Sequence, residues 1–174
     1  MFVQLRIFTQ NPPKGLGRRF AQLKRETLKQ VAWYWHANIL QRHFTPGNSA
    51  RYRMAQRNSK YKERAKARLG IGQGKYVDLI LRGASYRRMK HEASVTGTQY
   101  YATLRMNAPT YFSKPFIGTY TSESGRLRHV GKQPDKPGEV KQVSADDRQQ
   151  LTRFAKRGLV RGWNTGQVPS GRGA

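Results

Sequence analysis

The sequence predicts an α+β fold: a small, mostly antiparallel sheet flanked by a long N-terminal helix and a C-terminal helix. Three observations predict it. Apolar residues alternate over residues 2–8, and β-formers populate two arms between 92 and 107. Between 16 and 43 the apolar period changes to that of a helix. Near the end, Ser144 and Asp147 have the spacing of a helix-opening box. Residues 1–160 are expected to form a single domain, with a basic arm inserted at 45–75 and a flexible glycine-rich tail at 161–174.

The elements follow in order. Val3, Leu5 and Ile7 alternate with Gln4 and Arg6, which reads as a strand, and Asn11-Pro12-Pro13-Lys14-Gly15 breaks it. Phe20, Leu23, Leu28, Val31, Trp35 and Ile39 then form an apolar stripe, with Lys24, Arg25 and Lys29 between them. A helix from Leu16 to His43 is about 42 Å long at ~1.5 Å per residue, and Thr45-Pro46-Gly47-Asn48 ends it. Ser59 opens a short helix or an arm to Leu69, and Gly70 to Gly74 is a flexible break. Val77, Leu79 and Leu81 read as a short strand, and Ala84 to His91 as one or two helical turns. Ala93 to Thr96 and Tyr100 to Met106 flank a Gly97-Thr98 turn as a hairpin. The aromatic run through Tyr111, Phe112, Phe116 and Tyr120 is an edge strand or loop, because Pro109 and Pro115 interrupt it. Residues 121–139 read as a long surface loop. The last helix runs from Ser144 to a stop at Gly158, with Leu151, Phe154 and Ala155 on its apolar face.

Composition narrows the function. The chain carries 34 Lys+Arg against 9 Asp+Glu, a formal net charge of +25. From 51 to 90, thirteen basic residues face only Glu63 and Asp78. Such a field repels itself unless a polyanion lies nearby, and duplex DNA, with one charge per ~1.7 Å of axis, is the obvious one. The electrostatic candidates for DNA proximity are Arg51, Arg53, Arg57, Lys60, Lys62, Arg64, Lys66 and Arg68. With 9 Tyr, 7 Phe and 3 Trp the chain is too aromatic for a solvated coil. No window approaches the ~18 consecutive apolar residues of a membrane span, and the opening Met1-Phe2-Val3 has no basic-then-apolar leader, so neither membrane nor secretory signal is expected. The absence of cysteine excludes disulfides and thiolate zinc sites.

Motifs that resemble chemistry fail on spacing. Gly70-Ile71-Gly72-Gln73-Gly74-Lys75 lacks the first glycine of a phosphate loop, where Leu69 stands, and Tyr76 replaces the magnesium-holding hydroxyl. Asp135, Glu139 and Lys141 have the residue types of a metal nuclease but lie within a proline-broken stretch. His36 and His43 are two turns apart on the proposed helix with no carboxylate beside either, and His91-Glu92 is a lone pair. Few carboxylates are present to catalyse anything. No enzymatic activity and no cofactor is expected.

The order of elements also resembles a family. The amphipathic helix ends in His43-Phe44-Thr45. Ala50-Arg51-Tyr52, Arg57 and Tyr61-Lys62 follow, then Gly74-Lys75 leading into Asp78 to Gly83. Later, Gln133-Pro134-Asp135-Lys136-Pro137-Gly138-Glu139 leads to Val143 to Asp147 and a closing helix. Over roughly residues 16–157 this is similar to the neck, or tail-completion, proteins of tailed bacteriophages. The resemblance implies a non-catalytic virion subunit, assembled as a homo-oligomeric ring around the DNA channel. It implies portal or adaptor and tail proteins as neighbours, with packaged DNA touched non-specifically. The apolar surface expected to meet such neighbours, or to pack the core, includes Trp33, Trp35, Phe44, Tyr52, Tyr61 and Trp163. The competing class is a sequence-nonspecific RNA- or DNA-binding accessory protein.

Overall fold

The computed structural model describes residues 2–6, 17–45, 48, 50–54, 84–108, 118–121, 127–130 and 136–167. The fold is α+β. In chain order its elements are β1 (Phe2–Arg6), α1 (Arg18–Tyr34), α2 (Ala84–His91), β2 (Ala93–Gly97), β3 (Tyr101–Met106), β4 (Gly118–Thr121), β5 (Leu127–Val130), α3 (Lys136–Lys141) and α4 (Ala145–Thr165). The chain divides into two compact units. One holds 1–42, 89–107 and 143–174; the other holds 43–88 and 108–142. The strand read at 77–81 and the short helix read at 59–69 lie outside the described residues.

In the first unit, β1, β3 and β2 form an antiparallel sheet in that order, with Val3 opposite Leu104 and Val95 opposite Leu104 on the other side. Burial along β3 alternates: Ala102, Leu104 and Met106 are buried, whereas Tyr101 and Arg105 are exposed. A slip of one residue would turn Arg105 inward, so this pattern fixes the register. The hairpin turn is closed by the Thr98 N–H donating to the Tyr101 carbonyl at 2.8 Å.

α1 packs on β2 and β3 and lays its other side against α4. Leu23, Leu28, Val31 and Ala32 are buried, as the stripe predicts. The expected single long helix is present only in outline. At Trp35 the α-helical winding gives way to a π turn over Trp35–Ile39 and then a 3₁₀ turn over Leu40–Phe44. The altered winding leaves Trp35, Ile39 and Leu40 all at 0% exposure. His36 Nε2 lies 2.7 Å from the Met89 carbonyl oxygen, so that nitrogen carries the proton and donates.

α4 departs most from expectation. It begins where Ser144 predicts: the Ser144 hydroxyl accepts from the Asp147 N–H at 3.2 Å and donates to Asp147 Oδ2 at 2.7 Å. It does not stop at Gly158 but continues to Thr165, ending at Gly166 with φ +73°, the left-handed cap position. Residues 161–165, expected in a loose tail, are therefore helical. Arg153, Lys156 and Arg157 sit mid-helix, away from its negative end. That end lies instead beside Arg19 of α1, whose Nη2 would be 2.9 Å from a methyl group placed on Gly166.

In the second unit, His43 stacks on Tyr52 at 3.7 Å between ring centroids, and Phe44 meets Tyr86 at 5.1 Å. β4 pairs antiparallel with β5, Gly118 opposite Val130. Within the span 121–139 expected as a long surface loop, the described residues 127–130 form a strand and 136–139 begin a helix whose Glu139 and Val140 are buried. Proline and glycine content argued for a loop. Yet Pro137 lies at the start of α3, where a missing N–H costs nothing.

Candidate nucleic-acid interface

α4 is the cationic element that the structure describes most fully. Arg148, Arg153, Lys156, Arg157 and Arg161 are all exposed, and among the described residues no ion pair engages any of them. Arg153, Arg157 and Arg161 recur every four residues, so they share one face and span about 12 Å of helix at ~1.5 Å per residue. Lys156 adjoins that row. The opposite face carries Leu151, Ala155, Gly158 and Gly162, which pack inward. Burial of that face aims the arginine row at solvent.

Three acidic side chains of this unit are engaged elsewhere, and Asp146, exposed on the first turn of α4, is the other acid on the helix itself. Asp147 is fully buried and accepts from Arg42 Nη1 at 2.6 Å. Glu26 accepts from Lys29 Nζ at 2.8 Å and Arg25 Nε at 3.0 Å. Glu92 accepts from the Asn107 side-chain amide. Burial alone raises the Glu26 carboxyl, but hydrogen bonds and charge from Lys29 and Arg25 outweigh it and hold the group below its ordinary value of 4.5. A depressed carboxyl stabilises the fold above that ordinary value, and the contribution is lost as pH falls through the lower folded value. Glu26→Gln is accordingly expected to flatten the acid limb of a plot of urea midpoint against pH. An unchanged limb between pH 5 and pH 3 contradicts the assignment.

Between α1 and α4 runs a groove of about 950 Å³. Tyr34 and Phe154 line it, stacked at 4.5 Å, together with Val160 and the cations Lys156, Arg157 and Arg161. No acidic residue lines it.

No protein-family model, curated protein or solved structure matches this chain.

The residues expected to meet DNA or neighbours separate into four groups. Arg51 and Arg53 are exposed beside a turn, and Arg53 takes a left-handed φ of 49°, a strained geometry for a residue with a Cβ. The Arg51 guanidinium lies 5.9 Å from the Tyr52 ring centroid. Arg57, Lys60, Lys62, Arg64, Lys66, Arg68 and Tyr61 lie outside the described residues. Trp35, Phe44 and Tyr52 are buried at 0%, 5% and 1% exposure, so they serve the core rather than a neighbouring subunit. Trp33 is half-buried with its ring edge-on to His36 at 5.6 Å, and Trp163 is 49% exposed.

Of the decoy motifs, the glycine-rich run at 70–75 and Asp135 lie outside the described residues. Glu139 is buried, whereas Lys141 is exposed. Among the described residues no three His, Asp or Glu side chains converge as a metal site needs. Among them, too, no helix is long and apolar enough to cross a membrane. The α4 arginine row is not legible in the sequence: a helix stopping at Gly158 leaves Arg161 in the expected tail, and the four-residue spacing becomes a face only because α4 continues to Thr165. The basic stretch at 51–68 is denser in charge than α4 and so carries the stronger sequence signal.

Proposed function

We propose that this chain is a structural, non-catalytic subunit of a tailed-bacteriophage particle, placed at the head–tail joint beside packaged DNA. It assembles as a homo-oligomeric ring with portal or adaptor and tail proteins as neighbours. One observation carries the reading: a row of unpaired arginines along α4 on a chain of net charge +25, with three of the five described carboxylates, Asp147, Glu26 and Glu92, held by other groups. A lumen around a duplex must accept phosphate without gripping one sequence, and cations on a regular helix face do that, since phosphate contacts position without specifying.

Two unrelated 30-base-pair duplexes are expected to bind with equal affinity. Log affinity falls linearly with log salt concentration, at a slope of roughly −0.9 per phosphate contacted. Replacing Arg153, Arg157 and Arg161 by Gln together lowers that slope by about 3, one unit for each phosphate contact. Negative-stain images of the purified chain are expected to show annuli. A monomer that ignores duplex DNA at 50 mM salt, and is missing from assembled particles, rejects the proposal. A monomer that binds free polynucleotide as described favours the accessory-protein reading instead.

A further inference from the structure

A second surface of the first unit is built differently from the arginine row. The Trp163 ring meets Phe20 edge to face, centroids 5.9 Å apart and planes at 86°. Lys24 Nζ stands 5.9 Å from the Phe20 centroid and 5.8 Å from that of Tyr100. The side chains make a line: Trp163, Phe20, Lys24, Tyr100. Tyr100 is 67% exposed and Trp163 is 49% exposed, although both are large rings that burial would stabilise.

Rigid elements hold the line. Trp163 lies on the last turn of α4, and Phe20 and Lys24 lie one turn apart on α1. Tyr100 sits at the tip of the β2–β3 hairpin, where the Thr98 hydroxyl accepts from both the Tyr100 and Tyr101 N–H groups at 3.2 Å. An edge-to-face contact uses at most one face of either ring, so Trp163 keeps a face toward solvent.

Charge selects the occupant. Arg19, next to Phe20 on α1, is exposed near the Trp163 end. No Asp or Glu occurs in α1 before Glu26 or in α4 after Asp147. Cations with no carboxylate among them favour a polyanion over an uncharged or basic protein face. Duplex DNA hides its base faces in the stack, whereas a single strand presents them, and flat rings interleaved with cations are how proteins hold single strands. We infer that this line binds single-stranded polynucleotide. Bases stack on Trp163 and Tyr100, and phosphates pair with Lys24 and Arg19. The inference goes beyond the head–tail reading and needs neither particle nor duplex.

The test uses the full chain, with dT12 and rU12 as separate probes, a duplex of unrelated sequence, and phosphatidylserine–phosphatidylcholine vesicles. Both oligonucleotides are expected to bind and to quench tryptophan emission, and the tighter one identifies the natural sugar. Trp163→Leu and Tyr100→Leu each weaken oligonucleotide binding about 5- to 150-fold, the range for losing one stacked base. Tyr100→Phe keeps affinity. Lys24→Gln shallows the single-strand salt slope by about 0.7. Tyr100 is at an exposed tip, so its variants stay folded even if Trp163→Leu does not. Duplex binding is unchanged in the Tyr100 variants. Loss of single-strand binding with duplex binding intact supports the line. Single-strand binding that survives both Leu substitutions overturns it and leaves the head–tail reading standing. Emission changes with vesicles but with neither oligonucleotide also overturn it.

Discussion

Arg42→Met is expected to lower the free energy of unfolding by about 3–5 kcal/mol, the range for removing one partner of a buried ion pair. Asp147 has no solvent exposure, so its charge is held by neighbours. Arg42 Nη1 donates to Oδ1 at 2.6 Å, and Arg42 Nη2 donates to Gln150 Oε1 at 3.0 Å. The fork thus pins two successive turns of α4. Ser144 donates to Oδ2 at 2.7 Å. With methionine at 42, the hydroxyl of Ser144 stays, but the carboxylate loses its cation in a place water does not reach. The paired variant Arg42→Met/Asp147→Leu is expected to recover most of the loss, because a buried pair and apolar groups of similar volume come out nearly even. Recovery should be partial, since Ser144 then keeps its bond to the residue-147 N–H but has no carboxylate to donate to. Urea unfolding monitored by circular dichroism measures both. A single variant within about 1 kcal/mol of the parent, on the same scale, removes the claim that the pair holds α4 in place.

That pair illustrates what residue patterns carry and what they leave out. Ser144 and Asp147 are legible as a helix start, because capping depends on neighbours three residues apart. That Asp147 also binds residue 42 depends on a tertiary contact no local spacing announces. The same division runs through the fold. The β2–β3 hairpin and the α2 turns follow from period and turn chemistry alone. The α1 stripe predicts a helical path to His43 but not the change of winding at Trp35. Nor does it place Trp35 in the core rather than at a neighbour, since a buried and an interfacial aromatic have the same letter and spacing. Residues 121–139 read as loop because Pro, Gly and charge dominate, yet 127–130 pair as a strand and 136–139 open a helix with Glu139 buried. On the candidate interface, a helix read as stopping at Gly158 hides the row through Arg161, and the engagement of Asp147 by Arg42 is a tertiary matter that no spacing announces. The Trp163–Tyr100 line joins three segments and had no one-dimensional signature.

Gly158 and Gly162 show how a local rule is overridden. In isolation each glycine weakens a helix by about 1 kcal/mol relative to alanine, which is why Gly158 reads as a stop. In the fold they let α4 approach α1. A Cβ on Gly158 would be 3.2 Å from Thr27 Cγ2, and one on Gly162 only 2.3 Å from Leu23 Cδ1 and 3.0 Å from the Gln167 carbonyl oxygen. The two glycines are four residues apart, as are Leu23 and Thr27, and the helices run antiparallel, so ridge meets ridge where glycine makes a groove. The side chain of Leu23 can rotate away, but the Gln167 backbone is fixed by the end of the helix. Gly162→Val therefore combines a clash with poor helix propensity and is expected to destabilise by about 3 kcal/mol, the upper end of overpacking penalties. Gly158→Ala at its looser contact is expected to change stability by less than about 1 kcal/mol, because better propensity offsets a displacement of a few tenths of an ångström. Leu23→Ala in the Gly162→Val background should cost less than Leu23→Ala alone, since the space it vacates receives the new methyl groups. Thermal melts of the four proteins in that cycle give the coupling. Additive losses at 23 and 162 would show that α4 does not lean on Leu23, and a Gly162→Val protein as stable as the parent would undo the close packing of α1 and α4 altogether.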